Sequence, residues 1–280
     1  MAMPRPLPLQ LEGGDEMTSD ELIRYRVEDG IGRIELNRPA SLNAWTPQMG
    51  HQLLAAVRNA SDDEDVRVVL VTGAGRAFSA GADVKVERDT TPDGELDLSS
   101  WLRDIYNPVV LAVREAPKPF VAAVQGACAG LGVSLALACD LVLAAEDAYF
   151  LLAFVRIAVM PDAGATSFLA ERIGITRANE LCMLGDKLPA EKAERWGLVN
   201  AVHSTADLHD AAEKLAGRLA VSPTVAIASM KRALNTACHT PLVEQVELEA
   251  TLQQRHASTF DYAEGRAAFM AKRRPEFRGA

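Results

Sequence analysis

Two short runs of this chain, Val66 to Val71 and Phe120 to Val124, are apolar at every position except Arg67, and each leads into a glycine-rich loop. A strand with no polar face must be covered on both sides, as in a parallel sheet held between other layers. An α/β architecture with right-handed β-α-β crossovers follows. With 280 residues, 49% of them hydrophobic, the chain can fill one large core or two modest ones, which excludes a disordered chain or a rod.

The text around these runs fills in the order of elements. Leu22 to Glu28 and Ile31 to Leu36 alternate apolar and polar residues about Asp29-Gly30, which predicts an antiparallel hairpin. Thr46-Pro47 supplies an N-cap and a first-turn proline for a helix carrying Leu53, Leu54 and Val57 on one face. A helix about Trp101 to Arg114 stops at Pro117, a small-residue helix is expected over Gly130 to Cys139, and Leu141 to Ala145 and Val199 to Val202 read as further strands. Thereafter the pattern is helical only, over Asp207 to Leu219, Pro223 to Thr236, Leu242 to Phe260 and Tyr262 to Arg273. This divides the chain into an N-terminal tail (1–20, rich in proline, glycine and acids, expected to be mobile), an α/β core (21–204) and a C-terminal helical region (205–280) whose apolar faces cover the core or a neighbouring subunit.

Charge and cysteine content narrow the function. Twenty-nine basic against 38 acidic residues give a net charge of −9, which opposes binding to nucleic acid or to an anionic membrane and leaves only local recognition of anions. No apolar run is long enough to cross a bilayer and no secretory or transit pattern is present, so a cytoplasmic protein is expected. Cys128, Cys139, Cys182 and Cys238 lack metal-ligand or disulfide spacing and are expected to be buried thiols, with no metal site.

The chemistry concentrates in two loops, Thr72 to Asp83 and Gln125 to Gly132. Small residues let a backbone approach a ligand, and N–H groups at a helix start suit a developing oxyanion; the same glycines would equally serve tight strand-to-helix turns. Gly73-x-Gly75 is followed by Phe78, out of register for a dinucleotide fingerprint.

The segments Arg33 to Pro39 with Leu42-Asn43-Ala44, Gly73 to Asp83, Lys118 to Gly132, Leu135 to Asp140 and Gly197 to Asn200, in this order, resemble the enoyl-CoA hydratase/isomerase (crotonase) family over roughly residues 22–272. The resemblance implies a β-β-α spiral core with a helical C-terminal region, a homotrimer or dimer of trimers, an acyl-CoA substrate with coenzyme A as part of it, and no other bound cofactor. It also implies an oxyanion hole formed by the backbone N–H groups of Ala82 and Leu131. The segment Ala80 to Lys85, with Ala80, Ala82, Asp83, Val84 and Lys85, maps to the stretch along the thioester and pantetheine, Lys85 standing near a phosphate. Leu131, where the family usually has glycine, and Phe154 shape the acyl pocket.

Family hydratases set two glutamates opposite that hole. Here those places fall on Ser134 and Phe154, neither of which can exchange a proton near neutral pH, whereas Asp162 occupies the place of the isomerases' catalytic aspartate. Tyr106-Asn107-Pro108 and Phe154 also resemble the ring-epoxide phenylacetyl-CoA isomerases. The resemblance therefore implies an isomerase using Asp162 as acid and base, with its pKa raised among Phe154, Val159 and Met160. A turn residue after Pro161, a hydratase and a non-catalytic CoA-binding subunit are the competing readings. Gly132-x-Ser134-x-Ala136, with His203 or His239 as base, imitates a serine-hydrolase elbow but lacks its last glycine. Asp140 reads as a cap or core hydrogen-bonding group, and Lys272-Arg273-Arg274 as a solvated end.

Overall fold

The computed structural model describes residues 21–280; the expectation for the N-terminal tail lies outside them. The chain opens with the hairpin β1 (Ile23–Glu28) and β2 (Ile31–Leu36), joined by Asp29 and Gly30, both at positive φ as the tight reverse turn requires. Helix α1 (Pro47–Asp62) follows, its first turn closed by Thr46, whose side chain accepts from the Met49 N–H at 3.2 Å.

Three passes of one pattern build the body. β3 (Val68–Gly73) leads into the short strand β4 (Ala77–Ser79), and a π-helical turn, Leu102–Tyr106, runs into α2 (Asn107–Glu115). β5 (Phe120–Val124) leads into β6 (Ala127–Ala129) and then α3 (Leu131–Ala138), every residue of which is buried. β7 (Leu141–Ala145) leads into β8 (Tyr149–Leu151), a 3-10 turn over Ala153–Ile157, and α4 (Ala165–Leu184), kinked at Gly174. The long strands pair in one six-stranded sheet, β1-β2-β3-β5-β7-β10, parallel except for β1, with β10 spanning Ala201–His203. The short strands pair in a second sheet, β4-β6-β8-β9, in which β9 (Lys187–Pro189) precedes α5 (Ala190–Trp196). The chain therefore turns from one sheet to the other within each pass, giving a β-β-α spiral. The apolar strands β3 and β5 sit inside the larger sheet, covered on both faces as their sequence demands.

The corner glycines are what the two glycine-rich loops first provide. A Cβ on Gly126, which holds φ +54, would lie 2.1 Å from the Arg76 carbonyl oxygen, and one on Gly73 would lie 2.6 Å from that of Ala77. No side chain fits where the strands cross so closely.

The remaining helices are α6 (Leu208–Ala220), α7 (Thr224–Ala237), α8 (Leu242–His256) and α9 (Phe260–Ala271). Leu208, Ala212, Ala216 and Ala220 of α6 belong to the main core. Lys231 of α7 reaches into it, its Nζ 2.9 Å from Asp140 Oδ2 and donating to the carbonyls of Val113 and Lys118, while Phe120 N–H donates to the same Asp140 oxygen. Asp140 thus fastens a strand and a C-terminal helix, consistent with its reading as a core hydrogen-bonding group. Thr259 caps α9 by accepting from Tyr262 N–H, so the break between the two expected helices falls at 257–259, and Phe260 begins the second helix where it was expected to end the first. Leu242 and Val243 remain about three-quarters exposed in the single chain, so the core does not cover that face. Of the cysteines only Cys128 and Cys139 are buried; Cys182 is half-buried and Cys238 exposed, because the helix ends that carry the last two lie at the surface. Among the described residues no helix is long and apolar enough to cross a membrane.

Candidate active site

One cleft of about 1460 Å³ brings Ala82, Leu131, Phe154 and Asp162 together, with Val84 at its rim. Its first wall is backbone. Trp45 N–H donates to the Gly81 carbonyl at 2.7 Å and Asp83 N–H to the Trp45 carbonyl at 2.9 Å, a parallel bridge centred on Ala82. In such a bridge the carbonyl of the preceding residue and the N–H of the following residue face the partner, and the central residue's own N–H, trans to that carbonyl, points the other way. Ala82 N–H therefore turns away from Trp45, and it has no acceptor among the described residues.

Buried polar side chains hold this loop. Asn43, fully buried and at φ +55, accepts from Arg38 N–H and donates to the carbonyls of Ala74, Ala77 and Phe78. Ser79 Oγ donates to the Asn43 carbonyl at 2.9 Å and accepts from Gly81 N–H. The second loop is pressed against it. A Cβ on Gly81 would come within 2.9 Å of the Ala129 carbonyl oxygen, and one on Gly132 within 2.8 Å of Ser79. Leu131 follows Gly130 (φ +51) as the first residue of α3, where an N–H has no intrahelical acceptor, and its side chain is 2% exposed. Two unengaged N–H groups, on contacting loops, thus border one cleft.

The opposite wall is side chains. Phe154 lies across from Gly130, its ring 3.7 Å from where a Cβ would stand. Asp162 precedes α4; Ala163 and Gly164 take positive φ and make the turn, while the Asp162 carbonyl accepts from Ala165 N–H at 3.0 Å and from Ser134 Oγ at 3.1 Å. The backbone of Asp162 is therefore the turn that Pro161 suggested, and its carboxyl group is spared for other work. Oδ1 is buried without a hydrogen-bond partner among the described residues. Burial pushes the Asp162 pKa up to about 6, against the opposing pull of the Arg88 guanidinium. Val159 and Met160, expected to shield it, are exposed and line the cleft mouth instead.

The structure places other candidates elsewhere. Asp83 gives one carboxylate oxygen to Arg38 Nη1 at 2.6 Å and the other to Lys85 N–H at 3.0 Å, so its side chain braces the loop. Lys85 is exposed, and neither it nor Ala80 nor Asp83 lines the cleft. Ser134 is bound to Asp162 and His239 to Glu171 at 2.8 Å, so the described contacts contain no serine–histidine pair and the hydrolase alternative falls. Arg273 is engaged by Glu264 at 2.6 Å.

Sequence reading missed Arg88, stacked 4.8 Å from the Trp101 ring centroid, and Arg114 and Glu171, which line the cleft beside His239. Isolated charges carry no spacing that would have marked them.

A spiral of β-β-α units whose two glycine-rich loops border a largely apolar cleft defines a crotonase-fold protein. The sequence agrees: it matches the enoyl-CoA hydratase/isomerase family over residues 26–280, and the chain belongs to that family. It is 40% identical over 260 residues to the 1,2-epoxyphenylacetyl-CoA isomerase of Escherichia coli K12, covering 92% of this chain and 99% of that one. It is 33% identical over 246 residues to the 2,3-dehydroadipyl-CoA hydratase of the same organism, covering 88% and 94%. Among solved structures, an enoyl-CoA hydratase from Bacillus anthracis superimposes with a TM-score of 0.85 at 29% identity, covering 92% of this chain and all of that one.

Proposed function

We propose that the protein is an acyl-CoA isomerase that passes through a thioester enolate, with Asp162 moving the proton and the N–H groups of Ala82 and Leu131 holding the enolate oxygen. The observation that carries this reading is the state of the cleft's carboxylates. Glu171 is tied to His239 and Ser167, and Glu115 is exposed; Asp162 is the one with a buried, unengaged oxygen. A single carboxylate suffices to take a proton from one carbon and return it to another, whereas adding water calls for both a base and an acid. With Ser134 serving as a donor to Asp162 and Phe154 as an apolar wall, neither hydratase place has a group to orient or activate water. A pKa near 6 suits a group that must both accept and give a proton near neutral pH. Two preorganised donors offset the charge that develops on the carbonyl oxygen, an effect worth on the order of 10²–10³ in rate for one such donor in other enzymes.

The relatives' names support both reactions at equal identity: at 40% one is a 1,2-epoxyphenylacetyl-CoA isomerase and another, of Rhodobacter capsulatus, a probable enoyl-CoA hydratase, so the choice rests on the cleft. Coenzyme A enters as part of the substrate, its thioester arm running past Ala82 and Val84, the two residues of the Ala80 to Lys85 segment that line the cleft. The uncovered face about Leu242 and Val243 supports assembly into trimers or paired trimers.

Turnover of 2-enoyl-, 3-enoyl- and ring-epoxide acyl-CoAs in heavy water, read by mass spectrometry, tests the reading. The expected product has the substrate's composition, with deuterium at a carbon next to the thioester or further along the chain. A product heavier by one water contradicts it in favour of the hydratase. Bound CoA esters with neither rearrangement nor deuterium exchange contradict it in favour of the non-catalytic subunit.

A further inference from the structure

The segment 38–45 is a mould for the glycine-rich loop that presents Ala82. Ala80 N–H donates to the Leu42 carbonyl at 2.8 Å, Asn43 donates to three carbonyls of the loop, and Trp45 bridges to Ala82. Pro39 packs so closely on Gly75 that a Cβ there would come within 2.9 Å of it. Leu42 and Asn43 take φ +52 and +55, a left-handed conformation that residues other than glycine adopt at a cost. Such strain persists only where surrounding bonds hold it, and here those bonds run to the loop of the candidate oxyanion donor.

Arg38 closes this arrangement. Its Nη1 donates to the Ala44 carbonyl at 3.0 Å and to Asp83 Oδ2 at 2.6 Å, and its backbone N–H donates to Asn43 Oδ1 at 2.8 Å. Ala44 precedes Trp45 and Asp83 follows Ala82, so one guanidinium nitrogen joins the two strands of the bridge beside its centre. The bridge itself has only two backbone bonds, and the Arg38 contact adds a charge-assisted one, roughly twice as strong as a neutral bond. It is also sheltered, with the Asp83 side chain 11% and the Arg38 side chain 26% exposed. The bond from Arg38 holds the Asp83 carboxyl below the usual carboxylate range, with Lys85 N–H adding to the effect, so the carboxylate is charged at neutral pH. Neither Arg38 nor Asp83 lines the cleft, so the pair acts through the loop and not on a ligand.

We infer that Arg38 and Asp83 are positioning residues for the reaction: their ion pair fixes the Ala82 N–H where a thioester oxygen needs it. This rests on the assignment of Ala82 as an oxyanion donor and names what keeps that donor in place. A misplacement of ~1 Å can cost about 10²-fold in rate, far more than a surface ion pair contributes to folding, so the effect should appear in turnover before it appears in stability.

The test compares Arg38→Met, Asp83→Asn and the double variant with the wild type in two readouts. One is steady-state turnover of an acyl-CoA that the wild type isomerises. The other is the infrared carbonyl stretch of bound butyryl-CoA, isotope-labelled at the thioester carbon, a saturated ester that cannot isomerise. Hydrogen bonds to the oxygen lower that stretch, so the wild type should shift the band down from its free position. Each single variant should lose ~10-fold or more in kcat, with KM within about threefold, and should return the band part of the way. The double variant should lose no more than about twofold beyond the worse single variant, since the two residues act as one link. Arg38→Lys, which keeps a cation on a shorter stem, should fall between the wild type and Arg38→Met in both readouts, and it carries the test if Arg38→Met fails to fold. Variants that melt lower yet keep the wild-type kcat and band overturn the assignment, as do losses in the two single variants that add in full. A wild type that leaves the band unshifted sinks the oxyanion assignment of Ala82 itself, and the role of the ion pair with it.

Discussion

The two walls of the cleft are built on opposite principles. The wall of Ala82 and Leu131 presents backbone, and close contacts between backbones fix it: Gly81 against Ala129, Gly132 against Ser79, Asn43 bonded to three carbonyls. The facing wall presents side chains, and several are exposed, with Ile157 64% and Met160 69% accessible. Backbone N–H groups do not depend on residue identity, so the first wall can stay constant while the second changes the reaction. A fold built this way can host more than one reaction, and relatives of this chain are named for isomerisation and for hydration.

The largest effect should come from loosening the backbone wall. Gly81→Ala places a side chain at φ +91 and within 2.9 Å of a carbonyl oxygen, so the two loops must separate. Turnover is expected to fall by ~10²-fold or more, comparable to losing an oxyanion donor, with the pH profile unchanged in shape because the titrating group is on the other wall. Wild-type activity in this variant would show that the contact between the loops is unnecessary.

The smaller effect is the pH signature of the side-chain wall. With Asp162 active as a carboxylate, kcat/KM should rise about tenfold per pH unit below about 6 and level off above it. Stability runs the other way. The carboxyl group binds its proton more tightly folded than unfolded, so its favourable contribution is complete below pH 3.8 and is lost as pH rises through about 6. Asp162→Asn should therefore gain on the order of 1–3 kcal/mol over the wild type between pH 4 and 7 in denaturant titrations. A constant difference between the two proteins across that range would mean that the carboxyl is not buried as described.

Much of the first wall was legible in the sequence and less of the second. The hairpin about Asp29-Gly30, the cap at Thr46 and the apolar strand Phe120–Val124 form where local chemistry places them. The second sheet left no periodic signal, because β4, β6, β8 and β9 are three residues each, too short for alternation to register. For α4 the buried residues Phe168, Leu169, Ile173, Ala178 and Leu181 straddle the kink at Gly174, which breaks the 3.6-residue stripe. The family pattern singled out Asp162, whereas Pro-Asp-x-Gly alone reads as a turn, and the structure gives the reason: main chain and carboxyl do separate things there. Arg88 and the bond from Arg38 to Asp83 emerge only when distant segments are packed together.

The claim on which the account rests is that Asp162 carries the proton, and the most direct test compares Asp162→Asn with Ser134→Ala on a substrate that the wild type isomerises. Asp162→Asn keeps the size and removes the base, so turnover should drop by ~10²-fold or more with CoA affinity nearly intact. Ser134→Ala, which removes only the 3.1 Å bond to the Asp162 carbonyl, should lose no more than several-fold. Full activity in Asp162→Asn would contradict the account and leave the carboxylate a structural group.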